Sequence, residues 1–241
     1  MFEVERMIEA EFWDYEDAHE LAEAVAGDVT FIIESALDAR GDALIALPGI
    51  STATAPVYEL LAKAKLNWKK VTIIPTDERV VPLTDPLSNV GMLARHFLQL
   101  GARVYPVLSE AAKDYKAAGS AASARIGDLK WPPDLVWLSV GEDGHVAGIC
   151  PGPDVNDAIE AGPNQRAVGI MPDPMPEDAP VARVTLTKSA MLSARTLLIV
   201  GAGKAARKTL EKAIKDGGKS ALPVGRVLAD CETPIDIHWL D

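Results

Sequence analysis

The sequence predicts a three-layer α/β/α fold on a mainly parallel sheet, and three observations carry that expectation. Apolar bursts of strand length recur along the chain, helical segments lie between them, and the bursts are continuous rather than alternating in polarity. Strands covered by helices on both faces need apolar side chains at nearly every position, whereas a half-exposed sheet alternates.

In order, the bursts are ALIAL (43–47), VTIIP (71–75), a short RVYPV (103–107), DLVWLSV (134–140), RAVGIM (166–171) and RTLLIV (195–200). Helices are expected at about 16–40, 55–65, 88–98, 109–126 and 203–215, which makes the order largely β-α-β. The tract GPNQRAVGIMPDPMPEDAP (162–180) has the prolines and acids of a surface excursion, and Lys219 to Pro223 reads as a loop entering a helix.

With 48% hydrophobic residues, a chain of 241 residues can bury a sizeable core, and residues 1–241 are expected to form one domain. Its 24 basic and 35 acidic residues give a net charge of −11, which argues against nonspecific binding to nucleic acid or anionic membrane. Any anion site must be local. The acidic N-terminus has neither the basic region nor the apolar core of a targeting peptide, and no apolar run reaches spanning length, so the expected location is cytoplasmic. Cys150 and Cys231 are far apart, which suggests neither a disulfide framework nor a cysteine zinc site.

Ligands of open parallel sheets gather beyond the carboxyl ends of the strands. Four such places are chemically dense: PGISTA (48–53), TDERVV (76–81), GEDGH (141–145) and VGAGK (200–204). In GEDGH, His145 suits proton transfer near neutral pH and Asp143 can fix its orientation. In TDERVV, Arg79 offers a planar fork of donors for phosphate, while Asp77 or Glu78 could orient hydroxyls or steer a proton; the competing reading is a solvated charged turn. Amides and the hydroxyls of Ser51 and Thr52 could cradle an anion. Lys204 opens a helix beside a glycine turn and can meet a phosphate as a point charge.

Three competing readings meet objections. PGISTA approximates a nucleophile elbow with Ser51 and either His238 or His145 as base, yet no oxyanion loop precedes it. Asp143 and His145 could ligate a metal, but the other histidines are scattered and no zinc motif occurs. VGAGKAA spells G-x-G-x-x-A, but only 38 residues follow Gly203 and no strand ending in an acid follows about twenty residues on, as a dinucleotide fold requires.

Taken together and in order, these four stretches, with Ser88-Asn89 after DERVV and RVTLT (183–187), resemble the 6-phosphogluconolactonases, relatives in fold of glucosamine-6-phosphate deaminase. The resemblance runs from about Ala43 to the C-terminus. It implies a deaminase/isomerase-like α/β/α fold, no cofactor, and hydrolysis of 6-phospho-D-glucono-1,5-lactone to 6-phosphogluconate in the pentose phosphate pathway. It also implies a phosphorylated sugar lactone as partner, and a monomer or homodimer.

By position, His145 matches the histidine that activates water, with Asp143 as its neighbour. Arg79 and Lys204 match phosphate-holding residues. Gly49, Ser51 and Thr52 match the first glycine-rich turn, Arg183 matches the arginine of the R-V-T strand, and Asp77, Asn89 and Gly144 complete the expected substrate-binding set. His145 is expected to take the water proton and return it to the ring oxygen, while glycine-turn amides serve the oxyanion.

Two departures stand out. The family's G-G-S-T-P is G-I-S-T-A here, so Ile50, which disfavours positive φ, predicts a different backbone path. Cys150 replaces an aromatic, and it stands where the related deaminases carry a glutamate five residues after the histidine, which weakens the deaminase alternative. A sugar-phosphate binder without catalysis is the other alternative; it would need no proton shuttle.

Overall fold

The computed structural model describes residues 8–109 and 112–240. The elements in chain order are β1 (Ala10–Tyr15), α1 (Ala18–Arg40), β2 (Ala43–Leu47), α2 (Ala55–Leu61), β3 (Val71–Pro75), β4 (Asp77–Arg79), α3 (Asn89–Phe97), β5 (Arg103–Val104) and α4 (Tyr115–Gly127). They continue with β6 (Leu135–Leu138), α5 (Val155–Ile159), β7 (Ala167–Ile170), β8 (Arg183–Leu186), α6 (Lys188–Leu192), β9 (Leu197–Ala202), α7 (Lys204–Asp216), α8 (Pro223–Leu228) and β10 (Ile235–Leu240). The expected helix over 109–126 is α4, which starts at Tyr115; residues 110 and 111, like the acidic residues 1–7, lie outside the described residues.

Seven strands form a parallel sheet in the order β1-β10-β9-β6-β2-β3-β5. From β2 the chain builds outward through β3 and β5, then returns to lay β6, β9 and β10 on the other side. The order therefore reverses between β2 and β6, which is where an open α/β sheet leaves a crevice at its carboxyl ends. Those two ends carry PGISTA and GEDGH.

Helices α1, α2 and α3 cover one face of the sheet around Val25, Ile33, Tyr58, Leu61, Leu93 and Phe97. The other face is packed by residues of α4 to α8 and of a second, smaller sheet. Local chemistry sets the boundaries. Asp17 accepts the His19 and Glu20 amides to start α1, and Gly41 at φ 78° stops it. Among the described residues no helix is long and apolar enough to cross a membrane.

The second sheet, in the antiparallel order β4-β8-β7, was not legible in the sequence. RAVGIM was expected in the parallel sheet and belongs here instead. Its apolar run reflects burial under α4, where a methyl on Gly119 would come 2.0 Å from the Gly169 amide nitrogen. RVYPV shrinks to the two residues of β5, and Asp77 to Arg79, expected as functional residues beyond a strand with a charged turn as the competing reading, are themselves the strand β4. Strands β1 and β10 lack the continuous apolar run of the other strands because polar residues interrupt them: Glu11 and Asp14 in one, Asp236 and His238 in the other.

Candidate active site

The rim of the crevice follows from the strand order. Lys204 stands just beyond β9, His145 beyond β6, Gly49 to Thr52 beyond β2, and Arg79 on β4, directly after β3. In the strand order the histidine therefore has a basic residue on each side, Lys204 after the adjacent β9 and Arg79 after β3, two strands away.

Asp143 and the backbone of Gly141 hold His145. Its Nδ1 lies 2.6 Å from Asp143 Oδ1, and its own amide donates to the same oxygen at 3.1 Å. The hydrogen bond from His145 holds the Asp143 carboxyl below the usual carboxylate range, against a smaller opposing effect of burial. With Nδ1–H given to Asp143, Nε2 carries the free lone pair, the tautomer a general base needs.

The ring also lies against the backbone of Gly141, where a Cβ would stand 2.1 Å from His145 Cε1. Gly144 turns the chain at φ 77°, packs on Leu222, and accepts the Val224 amide, which fixes the loop to α8. Both glycines of GEDGH thus have geometric causes: close approach at the first and a left-handed backbone at the second. Beyond the motif, a methyl on Gly148 would meet Asp77 Cβ at 2.6 Å, which presses this loop onto β4 and β8.

On β4 and β8, Arg79 and Arg183 are direct cross-strand partners. Arg183 Nη1 lies 3.6 Å from Asp77 Oδ2, with Arg183 7% and Asp77 6% exposed. Arg79 donates through Nη1 to Asn89 Oδ1, and Asn89 Nδ2 donates to the Asp77 carbonyl at 2.6 Å. The Nε atoms of both arginines are buried with no hydrogen-bond partner among the described residues. Two guanidinium groups thus stand on one face of the small sheet, with Asp77 as the carboxylate that pairs with Arg183.

The first turn is organised differently from its sequence reading. Ile50 does not adopt positive φ, and neither does Gly49. Gly49 is required for space, since a methyl there would sit 2.1 Å from Asn89 Oδ1 and 3.0 Å from Arg79 Nη1. The Ser51 amide donates to Thr54 Oγ1 at 2.7 Å, and Ser51 Oγ accepts the Thr54 amide at 3.2 Å. Thr54 Oγ1 in turn donates to the Gly49 carbonyl. Ser51 and Thr52 are exposed at the rim, but the amide of Ser51 is already used within the turn.

Glu78 and Thr54 are the residues that the sequence did not single out for their actual positions: Thr54 locks the first turn, and Glu78 is fully buried among donors from α3. His238 lies away from this rim, its Nδ1 3.0 Å from the Tyr15 hydroxyl and its Nε2 3.3 Å from Asp28. Ser51 Oγ has Thr54 as its neighbour, and no histidine hydrogen-bonds to it among the described residues. Lys204 is exposed and forms no ion pair or hydrogen bond within the described residues. No group of three or more His, Cys, Asp or Glu side chains among them is placed to hold a metal ion. Cys150 is buried close to Arg183, Asp77, Asp143 and Arg79, and burial pushes its thiol up to about 11.

Fold and rim together define a class: a deaminase/isomerase-like α/β/α protein with a histidine–carboxylate pair at the switch point of a parallel sheet. Residues 16–239 match the family described as glucosamine-6-phosphate isomerases/6-phosphogluconolactonase, and the chain belongs to that family. It is 34% identical to a 6-phosphogluconolactonase of Rhizobium meliloti over 93% of this chain and 96% of that one. It is 32% identical to one of Pseudomonas putida over 92% and 90% of the two chains. The crystal structure of a 6-phosphogluconolactonase from Shewanella baltica superposes with a TM-score of 0.87 at 28% identity, covering 98% of this chain and all of the other.

Proposed function

We propose that this protein hydrolyses 6-phospho-D-glucono-1,5-lactone to 6-phosphogluconate, with His145 as the base that activates water. The observation that carries the reading is the His145–Asp143 pair at the switch point, with basic side chains on both sides of it along the rim.

Lactone hydrolysis needs a water deprotonated as it attacks, a stabilised oxyanion, and a proton returned to the departing ring oxygen. His145 Nε2 takes the water proton, Asp143 stabilises the imidazolium that forms, and the same nitrogen returns the proton to the ring oxygen. Arg79, Arg183 and Lys204 supply positive charge for the phosphate, whose binding orients the ring for attack. The unpartnered Nε–H groups of the two arginines support that role, because buried donors are nearly always satisfied by some acceptor. Gly49, Ser51 and Thr52 line the same rim beside Arg79, and Asn89 and Asp77 hold the arginines in place.

The deaminase reaction of the family is disfavoured by Cys150. A buried thiol with its pKa at about 11 stays neutral and cannot replace a carboxylate in acid–base work. We take the described chain as one catalytic unit, since both cores pack on the same seven-stranded sheet. A cytoplasmic place suits a substrate whose phosphate charge keeps it from crossing membranes.

The direct test gives the purified protein freshly generated 6-phosphogluconolactone and, separately, glucosamine 6-phosphate. Acceleration of lactone opening above the spontaneous rate, with no ammonia released from the amino sugar, is expected. Ammonia release without lactonase activity would assign the site to the other reaction.

A further inference from the structure

Glu78 is 0% exposed, yet it lies one residue from the arginine that faces the rim. Four donors converge on its carboxylate. Oε1 accepts the amides of Arg79 at 2.8 Å and Asn89 at 2.7 Å; Oε2 accepts the Val90 amide at 2.8 Å and the Ser88 hydroxyl at 3.1 Å. Both oxygens are fully used, so no lone pair is left to meet a ligand.

Three of those donors belong to the start of α3, and the fourth belongs to β4. The carboxylate therefore bolts the first turn of the helix to the strand, where its charge also complements the positive end of the helix dipole. Asn89 is the first residue of that turn. Its Nδ2 donates to the Asp77 carbonyl at 2.6 Å, which leaves Oδ1 to receive Arg79 Nη1. The contact lies so close to Gly49 that a single methyl there would strike both partners.

We propose that Glu78 is a positioning residue for the substrate phosphate, acting through Asn89 on the guanidinium of Arg79. The inference rests on the lactonase reading above. A glutamine at this position keeps the volume but turns one acceptor into a donor that faces amide hydrogens. The helix start must then shift, Asn89 with it, and Arg79 loses the partner that fixes its fork.

The experiment compares Glu78→Gln, Asn89→Ala and the double variant, each shown to be folded by circular dichroism and thermal unfolding. Substrates are the 6-phosphorylated lactone and unphosphorylated D-glucono-1,5-lactone; binding of 6-phosphogluconate is followed by calorimetry. Glu78→Gln is expected to raise both KM for the phosphorylated lactone and Kd for 6-phosphogluconate about tenfold, the scale of one charge-assisted hydrogen bond. The turnover number should change less than about threefold, activity on the unphosphorylated lactone should be unaltered, and the double variant should be no worse than Asn89→Ala.

Unchanged KM and Kd, equal losses on both lactones, or fully additive losses in the double variant would overturn the proposal. If Glu78→Gln does not fold, Asn89→Ala carries the comparison, and an unchanged Kd there overturns it equally. A wild-type protein that binds 6-phosphogluconate without accelerating hydrolysis defeats the lactonase reading alone, because the binding comparison still reports on Glu78.

Discussion

Arg79 on β4 faces Arg183 on β8 as its cross-strand partner, with Asp77 3.6 Å from Arg183 as counter-ion. Like charges directly opposite one another destabilise a sheet, and an anion placed between them reverses the sign. Arg79→Ala and Arg183→Ala should each raise KM for the phosphorylated lactone by about tenfold to a hundredfold, with smaller effects on kcat. Lys204→Ala should act in the same direction. Steady-state kinetics with and without the phosphate on the substrate checks this; equal losses on both substrates would remove these residues from the phosphate role.

The tautomer of His145 is set by Asp143, so the two should fail in different degrees. Asp143→Asn keeps the shape but removes the anion that stabilises the imidazolium, and a fall in kcat of about tenfold to a hundredfold is expected. The depressed pKa of Asp143 keeps it ionised well below neutral pH, so the acidic limb of the wild-type profile should not report the aspartate. A kcat unaltered by Asp143→Asn would show that the hydrogen bond has no part in turnover.

Gly141 and Gly49 offer a sharper contrast, because each leaves no room for a methyl, but against different partners. Gly141→Ala would push on the His145 ring and should lower kcat, whereas Gly49→Ala would push on Asn89 and Arg79 and should raise KM. If the two substitutions gave the same kinetic signature, the division of the rim into a proton-transfer side and a phosphate side would be wrong.

His238 predicts a pH dependence of stability separate from catalysis. Burial holds its imidazole below the ordinary value, opposed by Asp28 and Asp236. The folded protein thus binds fewer protons there than the unfolded chain. Its contribution is complete above the ordinary imidazole pKa of about 6.5 and is lost as pH falls from there through the lowered folded value. Asp28, raised by burial, acts in the opposite sense nearer the carboxylate range. Melting temperatures between about pH 7.5 and 5.5 should therefore fall less steeply for His238→Gln than for wild type; identical slopes would count against the account.

Much of the fold was legible because its central strands are buried on both faces, and ALIAL, VTIIP and RTLLIV could hardly be anything else. What escaped were elements whose polarity is set by tertiary partners. DER reads as a turn until Arg79 and Arg183 are seen across an antiparallel ladder, and IDIHWL hides its strand because His238 and Asp28 pair out of sight of the sequence. At the site, GEDGH announced the His145–Asp143 pair through local spacing alone. Glycines were harder to interpret. Gly201, spelled as part of a phosphate-binding turn, is there because a methyl would sit 2.3 Å from the Trp239 ring, whereas Gly203 supplies the φ of 88° that starts α7. Glu78, expected as a group that could orient hydroxyls or steer a proton, instead has both oxygens occupied, and three of its four donors come from a helix start ten or more residues away.

The role proposed for His145 is to activate the water that opens a phosphorylated lactone. Its most direct test is the rate of 6-phosphogluconate formation from freshly made 6-phosphogluconolactone, corrected for spontaneous hydrolysis, for wild type and His145→Ala side by side. Clear acceleration by the wild type is expected, with a loss of about 10² to 10⁴ in kcat for the variant and KM little changed. Wild-type kcat retained in a folded His145→Ala protein, or no acceleration by the wild type, would contradict it.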